Sequence, residues 1–454
     1  MAKQFQLDMS KGSIFKNTVR FAIPLIFASL LQLFYNAADL IVVSRYAGSN
    51  AMAAVGATSS VTNLLVNVFI GLSLGASVVV SRKFGANDKA GMKKTVHTAM
   101  LLGVCVGVLA GIAGVFFSKP LLVLMGTPEG EVLDGAVLYM RIIFLGVPAS
   151  LTYNFGAAIL RAVGDTKRPL YILSLSGIVN VGLNLILVVF FDLGVAGVAI
   201  ATAVSNYLSV VAVVWIMTRA DEEIRLQFKR LAFHKRELAE IVTIGIPAGI
   251  QSSFFSLSNT VLQSSVNAYG EAAIAGNAAA GNIEGFVYVA MNAFYQTSLT
   301  GVSQNYGAKN EKRINKTIWV TLLCVTVVGL FLGGLSVLFS RPLLGFYITD
   351  SAQALEYGAR RMLLSCLPYF LCGIMEVLTG ALRGLGSSVI AAVSAFIGTC
   401  GFRIFWATVA VKILGGGIDI LYLCWPISWL LVSIFHTITL MMIKPRAIKR
   451  MKVC

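Results

Sequence analysis

The sequence predicts an all-α integral membrane protein of twelve transmembrane helices in two six-helix halves, and three observations predict it. The 454 residues are 57% hydrophobic and only 12% charged, with a mean hydropathy of +0.82, whereas a soluble domain is about 25% charged. Apolar runs of bilayer length recur along the chain. The second half of the chain also repeats the first at a separation of 222 residues.

At roughly 20 apolar residues per crossing, the runs lie at about 17–44, 51–80, 95–117, 135–159, 169–190, 195–217, 238–266, 272–302, 315–339, 353–380, 387–411 and 418–443. The run 272–302 carries many polar residues and is the least clear of them. The 43 glycines suit helices that pack closely through small side chains or are locally interrupted. Seven cysteines, mostly inside apolar runs, form no paired framework and read as small packing residues. The polar opening "MAKQFQLDMSKGSIFKNTVR" runs into the first apolar stretch without a small-residue cleavage site, so no cleaved signal peptide is expected.

The net charge of +16 would suggest a nucleic-acid partner in a soluble protein. Its placement indicates topology instead. With the N-terminus inside, 28 of the 36 lysines and arginines fall on inner segments, from Lys3 and Lys11 through Arg82–Lys94, Arg161–Arg168, Arg219–Arg236 and Lys309–Lys316 to Arg383 and Lys444–Lys452. The other eight are Arg45, Lys119, Arg141, Arg341, Arg360, Arg361, Arg403 and Lys412. This positive-inside bias predicts a multi-pass protein of the cell membrane with both termini cytoplasmic, and no nucleic-acid role.

The repeat is carried by charged loops, where shared hydrophobicity cannot produce it. "SRKFGANDKAGMKKT" (81–95) matches "SQNYGAKNEKRINKT" (303–317), "SKPLL" (118–122) matches "SRPLL" (340–344), and "LRAVG" (160–164) matches "LRGLG" (382–386). The expected organisation is a six-helix lobe at 1–217, a cytoplasmic linker at 218–237 and a second six-helix lobe at 238–454. An even number of spans gives both halves one orientation. Such duplicated bundles commonly bind at their repeat interface and alternate access by rocking, so a transporter follows more naturally than a receptor or an enzyme.

Ionisable and polar groups inside spans are functional candidates by default. Asp39 lies 19 residues beyond Arg20, a rise of about 28 Å, toward the outer half of the first span. One reading pairs it locally with Arg45 or water. The other places it on a polar face with Gln32, Tyr35 and Asn36, where it exchanges a proton or accepts sodium. In the fifth span Ser176, Asn180 and Asn184 share a face; their amides either bond a carboxylate, offer carbonyl oxygens to a hard cation, or simply glue helices. Asp39 and Asn180 are the candidate sodium ligands. No acid in the second half repeats Asp39, the corresponding positions being Val261 and Leu262. That half instead offers Gln251, Ser256, Asn259, Glu284, Glu376 and Arg403 as substrate-cavity candidates. Glu376, seven residues before Arg383, either lies at mid-depth or reaches toward that arginine, and Arg403 is placed where it could neutralise a carboxylate.

No phosphate-binding G-x-x-x-x-G-K-[ST] loop occurs. His97, His234 and His436 are scattered without zinc-ligand spacing, and no serine sits in G-x-S-x-G. The chain is therefore expected not to be an enzyme and to need no cofactor, with sodium or a proton as the coupling ion for uphill transport.

The stretch "AIPLIFASLLQLFYNAADLIVVSRYAGSNAMAAVG", the loops "SRKFGAND" and "LRAVGDTKRP", the run "GVAGVAIATAVS", and the later "SQNYGAKN" and "ALRGLG" together resemble the multidrug and toxic compound extrusion (MATE) family, over the whole chain and in order. The resemblance implies a V-shaped transporter of two six-helix lobes that expels amphipathic, often cationic small molecules against sodium or proton influx. It also implies that Asp39 is the family's first-span aspartate, with Asn180 beside it and Asn184 where a second carboxylate would stand in one branch. Ser256 occupies the place of another branch's seventh-span acid, and Glu376 is out of clear register with its tenth-span acid. The superfamily's lipid-linked oligosaccharide flippases are the competing reading, but they need a strongly basic cavity, whereas the bases here lie mostly in loops. The expected partners are small-molecule drugs or toxic metabolites and the lipid bilayer, with the protein acting as a monomer.

Overall fold

The computed structural model describes residues 5–413 and 415–453. Lys3 and Cys454 lie outside the described residues, as do the side chains of Lys412, Arg450 and Lys452. All regular structure among the described residues is helical: α1 (Ile14–Val42), α2 (Gly48–Gly85), α3 (Lys89–Leu124), α4 (Glu131–Ala162), α5 (Lys167–Leu185), α6 (Gly194–Thr218), α7 (Lys235–Asn267), α8 (Glu271–Gly307), α9 (Glu311–Leu338), α10 (Ser340–Gly345), α11 (Ala352–Ser365), α12 (Tyr369–Gly384), α13 (Ser388–Ala395), α14 (Phe402–Trp406), α15 (Ile418–Tyr422) and α16 (Cys424–Val453). Ten helical stretches among these residues are long and apolar enough to cross a bilayer, eleven if α11 and α12 count as one bent span. The polar α8 is not among them. Large apolar side chains stand outward along the stretches, Phe116 at 74% and Trp319 at 73% exposure among them. Such exposure suits a hydrocarbon solvent and would be a liability in water.

Several expected spans are less regular than their apolar runs suggest. The run 353–380 is two helices, α11 and α12, bent by 47°. The break contains Pro368, whose missing N–H and fixed ring interrupt the helical ladder. The first run continues past 44 as a π-helical turn, Val43–Ala47, and stops at Gly48, whose φ of 85° suits a residue without Cβ. Three further π segments occur: Ile186–Phe190 after α5, Phe396–Gly401 after α13 and Ala407–Ile413 after α14.

The duplication read from the loops is visible in the backbone. Positive-φ turns recur 222 residues apart, at Gly48 (85°) and Gly270 (91°), Asn87 (55°) and Lys309 (56°), and Gly164 (85°) and Gly386 (89°). The helix starts recur as well. Asp88 caps α3 by accepting from the Gly91 N–H at 2.8 Å, and Asn310 caps α9 by accepting from that of Arg313 at 3.1 Å; both are short polar side chains suited to a free N–H at a helix start.

The chain forms two compact units. One comprises Phe27–Gly249 with the chain up to Leu7, and the other comprises Asp8–Ile26 with the chain from Ile250 onward. Thus α1 and α7 each begin in one unit and continue in the other. In the first unit α2, α3 and α4 share a core of Ala54, Ala110, Leu122, Leu133, Met140, Phe144 and Leu151. Here close packing, rather than transfer out of water, is the favourable term. The segment after α6 docks on the start of α3: the Gln227 N–H donates to His97 Nε2 at 3.1 Å, and Lys89 pairs with Glu223 at 2.9 Å. Between α4 and α5, the buried Asp165 accepts from the Arg168 N–H at 3.1 Å and pairs with its guanidinium at 3.3 Å. Burial nevertheless pushes the Asp165 carboxyl up to about 6, the Arg168 N–H and charge working against the shift. In the second unit, Ala279, Ala280, Ile283, Leu344, Met362 and Cys366 join α8 to α10 and α11.

Candidate functional site

Two polar centres, one in each unit, contain most of the candidate residues. In the first unit the centre joins α1, α5 and α6. Asp39, on the last turns of α1, is only partly buried, whereas Asn180 and Asn184 on α5 are 6% and 0% exposed. Asn184 Nδ2 donates to Asp39 Oδ1 and lies 3.5 Å from Asn180 Oδ1. Asn180 Nδ2 in turn lies 3.5 Å from Thr202 Oγ1 on α6, whose hydroxyl donates to the Val198 carbonyl at 3.0 Å.

The four-residue spacing on α5 puts both amides on one helix face, so the shared face expected from sequence exists. Asn184 is the residue of the two that donates to Asp39. Asn184 Oδ1 is buried and has no hydrogen-bond partner among the described residues, which is costly for an amide oxygen. A carboxylate and an unpartnered carbonyl oxygen therefore sit on the two sides of one amide.

Local structure supports this arrangement. A π turn starts at Val43, just beyond Asp39, and another at Ile186, just beyond Asn184; π turns occur often at functional sites. Both turns contribute to an apolar cluster of Val42, Val43, Ala51, Val55, Val188 and Val198, packed by Tyr139. Tyr35, one turn before Asp39, donates its hydroxyl to the Ser174 carbonyl at 3.1 Å. Its ring lies over Gly177, where any Cβ would overlap it. Gln32 and Asn36 are exposed, and Ser176 bonds back to its own helix at the Ile172 carbonyl, 2.9 Å away.

The second unit holds the other candidates in three groups. Glu284 on α8 accepts both arms of Arg361, at 2.9 Å from Nε and 2.7 Å from Nη2, and also accepts from Ser365. Arg361 donates to the Asn277 carbonyl at 2.9 Å and lies over the Trp425 ring at 4.9 Å. Glu284 is thus neutralised by an arginine at the end of α11, directly before the bend. In the second group, Arg383 donates to Tyr295 and, at 2.6 Å, to Gln251, both neutral groups. The third group is Arg403, which is 2% exposed and donates to Ser428 at 3.0 Å and Asn259 at 3.3 Å. It makes no ion pair among the described residues, so the expectation that it neutralises a carboxylate is not met. Ser256 donates its hydroxyl to the Ser252 carbonyl of its own helix, 3.3 Å away.

Sequence reading missed Thr202, Asn277 and Ser365 as partners, and set His436 aside. His436 is fully buried, with Nε2 2.7 Å from Ser394 Oγ. No spacing rule links such residues, because the contacts join helices far apart in the chain. Among the described residues no group of three or more His, Cys, Asp and Glu side chains is placed to hold a metal ion.

The MatE family model matches the chain twice, over residues 24–186 and 247–409. The chain is similar to the probable multidrug resistance protein YoeA of Bacillus subtilis, 29% identical over 389 residues that cover 83% of each protein. It is also similar to the multidrug export protein MepA of Staphylococcus aureus, 24% identical with 83% of each covered. Among solved structures it resembles an outward-facing multidrug resistance MATE transporter of the MOP superfamily, with TM-score 0.90, 22% identity and 98% of each chain covered. It resembles equally a MOP superfamily transporter from Pyrococcus furiosus described as having a binding pocket of reverse polarity, with TM-score 0.90, 21% identity and 98% of each chain covered.

Proposed function

We propose that this chain, which belongs to the MATE family of multidrug transporters, is an ion-gradient-driven antiporter that exports amphipathic, often cationic compounds in exchange for sodium or protons. Membership establishes a multi-pass membrane transporter that is not an enzyme. The coupling ion, the substrate class and the roles of individual residues are our reading, and Asn184 carries it.

Asn184 fixes the Asp39 carboxylate through Nδ2, and among the described residues its own buried Oδ1 has no partner. A carboxylate and an unsatisfied carbonyl oxygen on the two sides of one amide offer oxygen ligands of the kind a small hard cation takes. In this reading Asp39 supplies the charge, Asn184 Oδ1 supplies a neutral ligand, and Asn180 with Thr202 holds the amide in place. The ion is cargo, entering down its gradient while drug leaves. Because both compete for one conformational cycle, ion binding weakens drug binding by a reciprocal coupling free energy. We favour sodium over the proton, since a single titrating acid would not need the second oxygen.

The same reading takes the chain as twelve spans in two six-helix lobes, with α8 as the eighth span, both termini cytoplasmic, and function as a monomer. The polar face of α8, with Asn277 and Glu284 turned into the second unit's own ion-pair network, explains its weak apolar signal. The test is drug efflux from vesicles of purified protein under a sodium gradient or a pH gradient imposed separately. Drive by sodium is expected. Drive by pH alone with sodium absent would replace sodium by the proton, and drive by neither would overturn the antiporter.

A further inference from the structure

The two matched stretches begin at 24 and 247 and end at 186 and 409, so they are equal in length. Overlaid from their first residues, one residue out of step with the 222 separation of the loops, they set Arg403 opposite Asn180 and Asn259 opposite Asn36. The fold is duplicated, but its charges are not: the acid at Asp39 faces a leucine, and the arginine at 403 faces a neutral amide. The first unit has Asp39 beside its asparagines, and the second unit has Leu262 opposite Asp39 and a guanidinium on the eleventh apolar run.

That guanidinium has unusual surroundings for a charge in a membrane span. Arg361 is bound by Glu284 at two positions. Arg403 is more deeply buried, at 2% exposure, yet its partners are the neutral Ser428 at 3.0 Å and Asn259 at 3.3 Å. Among the described residues no carboxylate pairs with it. The Phe255 ring lies 6.0 Å from its guanidinium carbon, and Asn259, its partner on α7, is itself exposed. An intramembrane charge is kept at a cost, and a buried cation without its anion is more costly than a completed pair. Arginine is also the side chain whose planar fork matches carboxylate and phosphate oxygens. Asn259 is the exposed member of the pair.

We infer that Arg403 and Asn259 form an anion subsite in the second unit, which binds an anionic oxygen group on an amphipathic aromatic molecule. The inference rests on the export reading only for the source of the ligand; the subsite itself is tested by binding, without any gradient. It extends the substrate class from cations to zwitterions, whose carboxylate has a partner here. The chemistry is shared by a drug carboxylate and by the phosphate of an anionic lipid, and the test separates them.

The test uses the full chain, purified in nanodiscs of phosphatidylcholine, and two probes that differ in one group: rhodamine B, which has a free carboxylate, and its methyl ester. In the wild type the acid is expected to bind at least tenfold more tightly than the ester. Arg403→Gln removes the charge, and Arg403→Lys keeps it without the fork. Asn259→Asp keeps the arginine and supplies a built-in counter-charge 3.3 Å away, so it preserves the fold if removal of the arginine does not. In both Arg403→Gln and Asn259→Asp the acid-to-ester preference is expected to fall to about one, with partial preference retained in Arg403→Lys. A second series replaces part of the phosphatidylcholine with phosphatidylglycerol. Competition against rhodamine B that disappears in Asn259→Asp assigns the subsite to lipid phosphate, and its absence assigns it to the ligand. Equal affinity of the wild type for acid and ester, or a preference unchanged in Asn259→Asp, would overturn the subsite.

Discussion

Asn184 Nδ2 donates to the Asp39 carboxylate while Asn184 Oδ1, buried on the other side of the same amide, has no partner among the described residues. One side chain therefore both fixes the acid and presents an unsatisfied oxygen on its far side. The pair joins the end of α1 to the end of α5, each followed within a few residues by a π turn. A change in what the carboxylate binds is thus felt at the irregular ends of two spans.

The position of α1 against α5 depends on a close approach. A Cβ at residue 177 would overlap the Tyr35 ring, so Gly177→Ala must displace Tyr35 and break its bond to the Ser174 carbonyl. A loss of about 1–3 kcal/mol is expected, read as a lower thermal unfolding midpoint. Gly177→Ala with Tyr35→Ala should recover most of it, because the clash is then absent; losses that simply add would show that the ring is not the obstacle.

The Glu284–Arg361 pair is buried and bidentate, so removing one partner costs more than removing both. Glu284→Gln leaves a buried guanidinium without its anion, and a loss of about 3–5 kcal/mol is expected. Replacing the pair with Leu and Met should be markedly less damaging than the single change. Thermal unfolding of the purified variants decides it, and a double variant as unstable as Glu284→Gln would contradict this account of the pair.

Asp165 gives a pH dependence that can be read outside the spans. Its folded-state value of about 6 lies above the ordinary 3.8, so its contribution is fully present below pH 3.8 and is lost as pH rises through 6. Between pH 7.5 and pH 4 stability is therefore expected to rise by about 2–3 kcal/mol from this group. Asp165→Asn should remove that slope while keeping an acceptor for the Arg168 N–H. An unchanged slope in the variant would assign the dependence to other groups.

Much of the fold was legible because membrane spans and charged loops leave strong marks on a sequence. The loop pairs "SRKFGAND" and "SQNYGAKN" were enough to locate the repeat, and the structure returns the same positive-φ turns at Asn87 and Lys309. The bend near Pro368 and the π turns were not legible, since an apolar run looks alike whether the helix in it is straight or broken. The site was half legible. Helical spacing put Asn180 and Asn184 on one face, but which of them meets Asp39 depends on how α1 and α5 pack, and no local pattern records that. The same limit explains why Arg361, counted only as an outer or span residue, is the partner of Glu284, while Arg403, the expected neutraliser, pairs with no acid among the described residues.

Gradient-driven export by Asp39→Asn and Asn184→Ala, beside the wild type, tests the central claim most directly. The neutral isostere keeps the shape and hydrogen-bonding capacity of residue 39 but removes the only charge in its group, so export from loaded vesicles is expected to fall to background while the protein still inserts and elutes as folded. Asn184→Ala removes a hydrogen bond to a charged group, about 1.5–3 kcal/mol, and should raise the half-saturating sodium concentration by about tenfold or more with export partly retained. Wild-type rates of export from Asp39→Asn under the same sodium gradient would contradict the assignment of Asp39 as the coupling residue.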